Sequence, residues 1–289
     1  MRLMFRLLAV FLAFGLIAAV PQAPVRAEQA IAPADPASAE MREMLTLIGM
    51  DRLLPIMRAE GVAYADALEA ELFPGKGGAD WAAMIEKIYA PERMETIITR
   101  RFSTEMADVD LAPLRAFFDT ERGQRIVGLE ISAREALLDD EVEAVSRDNL
   151  DILRGEDDPR LAVLGDFIEE NDLVETNIAG ALNSNLAFYQ GLAAGGALTV
   201  EMSQEDMLRD VWAQEPDIRE ETEGWVWSYL AMAYKPLKDE DITAYTALSR
   251  TAEGRALNAA LFAAFDDLFT AISRDLGIGA SQFMSREDI

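Results

Sequence analysis

The residues with the chemistry to do work in this chain are carboxylates, because the 289-residue sequence has no Cys and no His. Every Cys–His and Ser–His–Asp arrangement is therefore absent, and with it every His-ligated zinc, copper or iron site. Two close acid pairs stand out: Asp108 with Asp110, and Asp239 with Asp241. Paired carboxylates can hydrolyse a glycosidic bond, one as acid and the other as base or nucleophile. The same residues also suit a structural task, since acids at a helix start offset its dipole and accept from its unpaired N–H groups. The structural task is the stronger expectation, so no catalytic, cofactor-binding or metal residue is assigned and the four acids are kept as weak alternative carboxylates.

Two further acidic clusters, Asp139-Asp140-Glu141 with Glu143 and Glu156-Asp157-Asp158, have some of the oxygens that calcium needs. Neither has the Asp-x-Asn/Asp-x-Asn/Asp-Gly spacing of a calcium loop, and both read as solvated helix faces or a seam. Trp225, Trp227, Tyr229 and Tyr234 lie at helical spacing. Aromatics so placed belong more often to a core than to a ligand groove, and Met44, Met50 and Met57 read the same way.

The elements that must position these residues are helices, and they recur. At an offset of 131 positions, Thr120 falls on Thr251, Gly123 on Gly254, Asp108 and Asp110 on Asp239 and Asp241, Leu114 on Tyr245, Phe117 on Leu248 and Ile126 on Leu257, without a gap. Trp81 meets Trp212 at the same offset. Self-similarity at a fixed period marks a repeat architecture. In each copy a short apolar stripe (Leu111, Leu114, Phe117 and Phe118; Ile242, Tyr245 and Leu248) leads to a Thr suited to cap a new helix. The Gly three residues on is a poor helix former, which implies that a side chain there would strike the preceding helix. Thr120, Gly123, Thr251 and Gly254 are thus the expected structural corners.

The segments LRAFFDTERG, Leu114 to Gly123, and YTALSRTAEG, Tyr245 to Gly254, resemble the domain-of-unknown-function 2059 family of exported helical proteins in Gram-negative bacteria. Its motif reads Leu-x-x-Phe-(Phe or Tyr)-x-Thr-Pro-x-Gly. The two copies carry Glu121 and Ala252 where that family has Pro. The resemblance implies export and a helical fold, and brings no activity with it.

Taken in order, Arg2 and Arg6 precede an apolar run from Leu7 to Val20, and Val25-Arg26-Ala27 has the small or aliphatic residues of a cleavage site. A signal peptide over 1–27, cut after Ala27, is the expectation, with a flexible leader at 28–39. A helical pattern runs from Glu40 to Leu72, then a glycine-rich loop, then two helices hinged at Pro91. The helix that begins at Thr120 is expected to reach about Leu153, with a seam at Gly155 to Pro159. The second half repeats the plan, and AAGGALT, Ala193 to Thr199, matches the earlier glycine loop. No stretch alternates as a strand does. The expected fold is all-α, a helical repeat protein with two similar multi-helix halves, 40–155 and 156–289, packed together.

A net charge of −26 repels phosphate backbones and anionic head groups, which speaks against nucleic acid and membrane surfaces as partners. With 51% hydrophobic residues the chain is too apolar to be disordered. The expectation is a periplasmic, non-catalytic helical module binding an unknown protein, peptide or small apolar ligand, without a cofactor and without membrane insertion once the signal is removed. The alternative is a carboxylate-dependent hydrolase.

Overall fold

The computed structural model describes residues 39–197 and 203–285. The expected signal peptide, nearly all of the leader and the end of the AAGGALT loop lie outside them. Among the described residues every regular element is an α-helix. The early part holds α1 (Ala39–Leu47), α2 (Met50–Leu72), α3 (Gly78–Ile88), α4 (Pro91–Glu105), α5 (Ala112–Phe118), α6 (Glu121–Ala136) and α7 (Asp140–Gly155). The later part holds α8 (Arg160–Glu170), α9 (Leu173–Ala194), α10 (Gln204–Trp212), α11 (Glu215–Ala233), α12 (Asp239–Ser249) and α13 (Ala252–Met284).

Local chemistry explains most boundaries. Ala90 is extended and Pro91 opens α4 at the position where a missing N–H costs nothing. Ser203 and Asp206 form a reciprocal capping box at α10. Two boundaries differ from expectation. The pattern over 40–72 is two helices, because Gly49 takes a left-handed φ of 82° and lies so close to α6 that an added Cβ would sit 2.4 Å from the Ile131 side chain. The helix from Thr120 also ends early, at Ala136. Asp139 then turns its carboxylate onto the Glu141 N–H at 2.9 Å and starts α7 as a separate helix.

The spine is α13, which at about 1.5 Å per residue is roughly 50 Å long. It packs against α9 and α4 most extensively and touches α12, α3, α2 and α5. It is long and apolar enough to cross a bilayer, yet here half of its most apolar stretch is buried inside the protein. Against α9 the approach is so close that a Cβ on Gly191 would lie 2.2 Å from the Arg274 carbonyl oxygen, and one on Gly277 would lie 2.3 Å from that of Phe188. At its far end Phe283 stacks on Phe73 and meets the edge of Trp81, whose indole N–H donates to the Ala65 carbonyl at 3.1 Å. Buried side chains from Met41 to Phe283 form one continuous core, and a small satellite of Ile178, Ala181, Leu182, Val211 and Ile218 joins α9, α10 and α11.

Candidate functional site

The two Thr–Gly corners have the same geometry. The Thr120 hydroxyl accepts from Gly123 N–H at 3.1 Å and donates to the Phe117 carbonyl at 2.6 Å. The Thr251 hydroxyl accepts from Gly254 N–H at 2.9 Å and donates to the Leu248 carbonyl at 2.8 Å. A Cβ on Gly123 would lie 2.4 Å from the Phe117 oxygen, and one on Gly254 would lie 2.0 Å from the Leu248 oxygen. Backbone oxygens cannot yield as a side chain does, so each glycine lets one helix start against the end of another.

The short helices that lead into the two corners meet in space. Tyr245, buried on α12, stacks on Phe117 at 5.5 Å and takes the edge of Phe118 at 5.9 Å. Phe167 of α8 closes the cluster at 5.0 Å. An open depression of about 400 Å³ is lined by Thr120, Glu121, Arg122, Arg125, Leu237 and Asp241. Arg122 bonds Asp241 at 2.7 Å and Arg125 donates to the Pro236 carbonyl at 2.8 Å, so both guanidinium groups tie the start of α6 to the start of α12.

The four carboxylates are spread over separate tasks. Asp110 accepts from Ala112 N–H at 3.0 Å at the head of α5, and Asp108 is exposed in the turn before it. Asp239 pairs with Arg160 of α8 at 2.7 Å, while Asp241 pairs with Arg122 of α6 and accepts from the Lys238 N–H at 3.4 Å. The Arg122 guanidinium holds the Asp241 carboxyl below its ordinary range, the reverse of what a general acid needs. Of the acidic clusters, Asp139 caps α7 and Asp158 accepts from Arg160 N–H at 2.8 Å at the head of α8. Among the described residues no three acids converge as metal ligands do. Trp225, Tyr229 and Tyr234 are core residues, with Trp225 stacked on Tyr229 at 4.8 Å, and Met44, Met50 and Met57 are buried as well.

One group of residues escaped the reading of the sequence. Glu130 on α6 is 3% exposed; the Tyr234 hydroxyl donates to its carboxyl at 2.5 Å, and the Tyr229 hydroxyl donates to its backbone carbonyl at 3.0 Å. Burial pushes the Glu130 carboxyl up to about 7, against the lowering effect of the Tyr234 bond. One turn on, the equally buried Arg134 makes a two-pronged pair with Glu60 of α2, at 2.9 and 2.7 Å. Burial, reinforced by Glu130, holds the hydroxyls of Tyr229, Tyr234 and Tyr245 well above the ordinary tyrosine range. The signal was present in the 131-position offset, which lays Glu130 on Leu261 and Arg134 on Phe265: acid and base stand where the later segment has core apolar residues.

The match of Trp81 with Trp212 has no structural counterpart, for Trp81 is fully buried beside Phe283 whereas Trp212, at the end of α10, is 62% exposed. Among the described residues the other exposed large apolar side chains are Val145 and Ile152 along α7, at 57% and 55%, Leu138 in the turn before it at 46%, and the less exposed Leu208 on α10 and Met284 at the end of α13. Compared with protein-family models, with curated proteins and with solved structures, the chain matches none of them.

Proposed function

We propose that this chain is an exported, non-catalytic helical module that binds a protein or peptide, built from two similar halves, about 40–155 and 156–289. The duplication is supported by the gapless 131-position offset and by the identical bonding of Thr120–Gly123 and Thr251–Gly254. Export is supported by the order of basic, apolar and small residues in 1–27, and by the resemblance of both corners to the domain-of-unknown-function 2059 family. Glu28 is then the first residue of the exported protein, which N-terminal sequencing reads directly.

The binding role rests on one observation above others: Leu138, Val145 and Ile152 stand in the open at seven-residue spacing, whereas most other large apolar side chains among the described residues are buried or half-buried. Exposed apolar residues aligned along one helix in this way are what an amphipathic partner helix would cover. A photo-reactive amino acid placed at Val145 in the exporting cell is expected to give an adduct of discrete mass that the same group at Glu95, exposed on α4, does not give. Equal labelling from both positions, or none from Val145, overturns the binding reading. If, in addition, Asp239→Asn with Asp241→Asn abolished a measurable hydrolysis without changing stability, the carboxylate-dependent hydrolase would replace it.

A further inference from the structure

We infer that the outer face of α7 is a docking surface for a basic amphipathic helix, in which apolar residues and Lys or Arg alternate at three- to four-residue intervals. The inference deepens the binding reading above and rests on it. Along this face the residue types alternate: Glu141, Val145, Asp148 and Ile152 on the helix and Glu156 at its C-cap, each three or four positions from the next and all five exposed, with the exposed Leu138 in the turn before the helix. Residues three and four apart are neighbours on a helix surface, so the row is a continuous ladder of apolar and acidic rungs.

The rest of α7 explains why this face is free. Its inner side packs on α11, with Leu150 buried and the Ser146 hydroxyl donating to the Ser228 carbonyl at 2.9 Å. The two cations of the helix are turned away from the ladder. Arg147 pairs with Glu143 and with Glu221 of α11, and Arg154 pairs with Asp151, each two positions from an apolar rung and so nearly opposite it around the helix axis. The ladder thus carries only negative charge beside its apolar residues.

That pattern selects the occupant. An apolar helix face gains by covering Val145 and Ile152, and cations flanking that face meet Glu141, Asp148 and Glu156 at the rim, where complementary charge speeds encounter and rejects wrong partners. A second copy of this chain would set like charges against each other, in a protein of net charge −26. An anionic lipid surface is repelled for the same reason.

The test uses the full exported chain and two labelled synthetic peptides of three heptads, with the same leucine core flanked by lysines in one and by glutamates in the other. Fluorescence anisotropy is expected to show the lysine peptide binding at least about tenfold more tightly than the glutamate peptide, with a difference that shrinks in high salt. Val145→Ser with Ile152→Ser should remove binding of both. Asp148→Lys with Glu156→Lys, which leaves the acids of the first turn of α7 in place, should reverse the preference while the melting curve stays that of the parent. Equal binding of the two peptides, binding that survives the double serine variant, or no binding of either peptide overturns the inference. So does a concentration-dependent dimer by light scattering that the double serine variant dissolves. If the Val145 adduct described above persists while the peptides fail, only the partner's chemistry is wrong; if the adduct is absent, the binding reading itself falls.

Discussion

At the scale of single residues, the sharpest consequence concerns Glu130. The carboxyl is easier to protonate in the fold than in the unfolded chain, because burial raises it from 4.5 to about 7. The folded state then binds the proton more tightly, so the stability linked to Glu130 is fully present below about pH 4.5 and is lost as the pH climbs through 7. The groups facing it are the hydroxyls of Tyr229 and Tyr234, with Tyr245 nearby and the Arg134–Glu60 pair one turn away. Glu130→Gln keeps the shape and an acceptor for Tyr234 while removing the charge. In urea unfolding it should be more stable than the parent at pH 8 by about 2 kcal/mol and equal to it at pH 4, taking about 1.4 kcal/mol for each tenfold gain in proton affinity as an upper scale. A variant weaker than the parent at pH 8 would mean that the ionised carboxylate is stabilised in the core after all. This residue was hidden because periodicity registers apolar positions, and one acid among Leu129, Ile131 and Ala133 reads as the polar side of the helix. The capping threonines were legible because Thr followed at three residues by Gly carries a mechanism of its own.

At the scale of elements, the corners make a claim about glycine that a substitution pair can separate. Gly254 and Gly128 both sit inside helices, where alanine is favoured over glycine by about 1 kcal/mol. A Cβ at Gly128 meets nothing within 4 Å, whereas one at Gly254 would lie 2.0 Å from the Leu248 carbonyl oxygen. Gly128→Ala should therefore raise stability by about 0.5–1 kcal/mol, and Gly254→Ala should lower it by about 1–3 kcal/mol because the α12–α13 corner must open. Denaturant midpoints of the two variants decide the matter, and a stabilised Gly254→Ala would remove the steric account of the corner. The break between α6 and α7 belongs to the same scale. Asp139 caps α7 by the same kind of bond as Thr251 makes at α13, but it lies in the acidic run Asp139-Asp140-Glu141, which reads as a solvated face, and the hydrophobic pattern continues through Leu137 and Leu138. At Gly49 the helix is interrupted by a contact with α6 that a sequence taken one helix at a time does not contain.

At the scale of the whole molecule, helix content and most helix ends follow from local patterns, whereas the order in which helices adjoin does not, because it depends on which apolar stripes cover each other. The Phe residues of α13 illustrate both sides. Phe262 and Phe265 are buried and Phe269 is packed against the core, as expected of a helix apolar on more than one face, but its partnership with α4, more than a hundred positions earlier, arises only in three dimensions. That arrangement places residues of both proposed halves in one core, with Tyr245 of α12 against Phe117 and Phe167, and Phe283 near the end of α13 against Phe73 and Trp81. Neither half can then expose its apolar stripe without uncovering the other, so unfolding should be shared. Two variants test this, one keeping only Trp81 and the other only Trp225, each tryptophan buried in a different half and the remaining ones changed to Phe. Their fluorescence midpoints in urea, each compared with the loss of helix in the same variant, should coincide within it. A Trp225 signal that changes well before or after the helix signal, while Trp81 changes with a distinct midpoint, would show two units that melt separately and a spine that joins them without binding them into one.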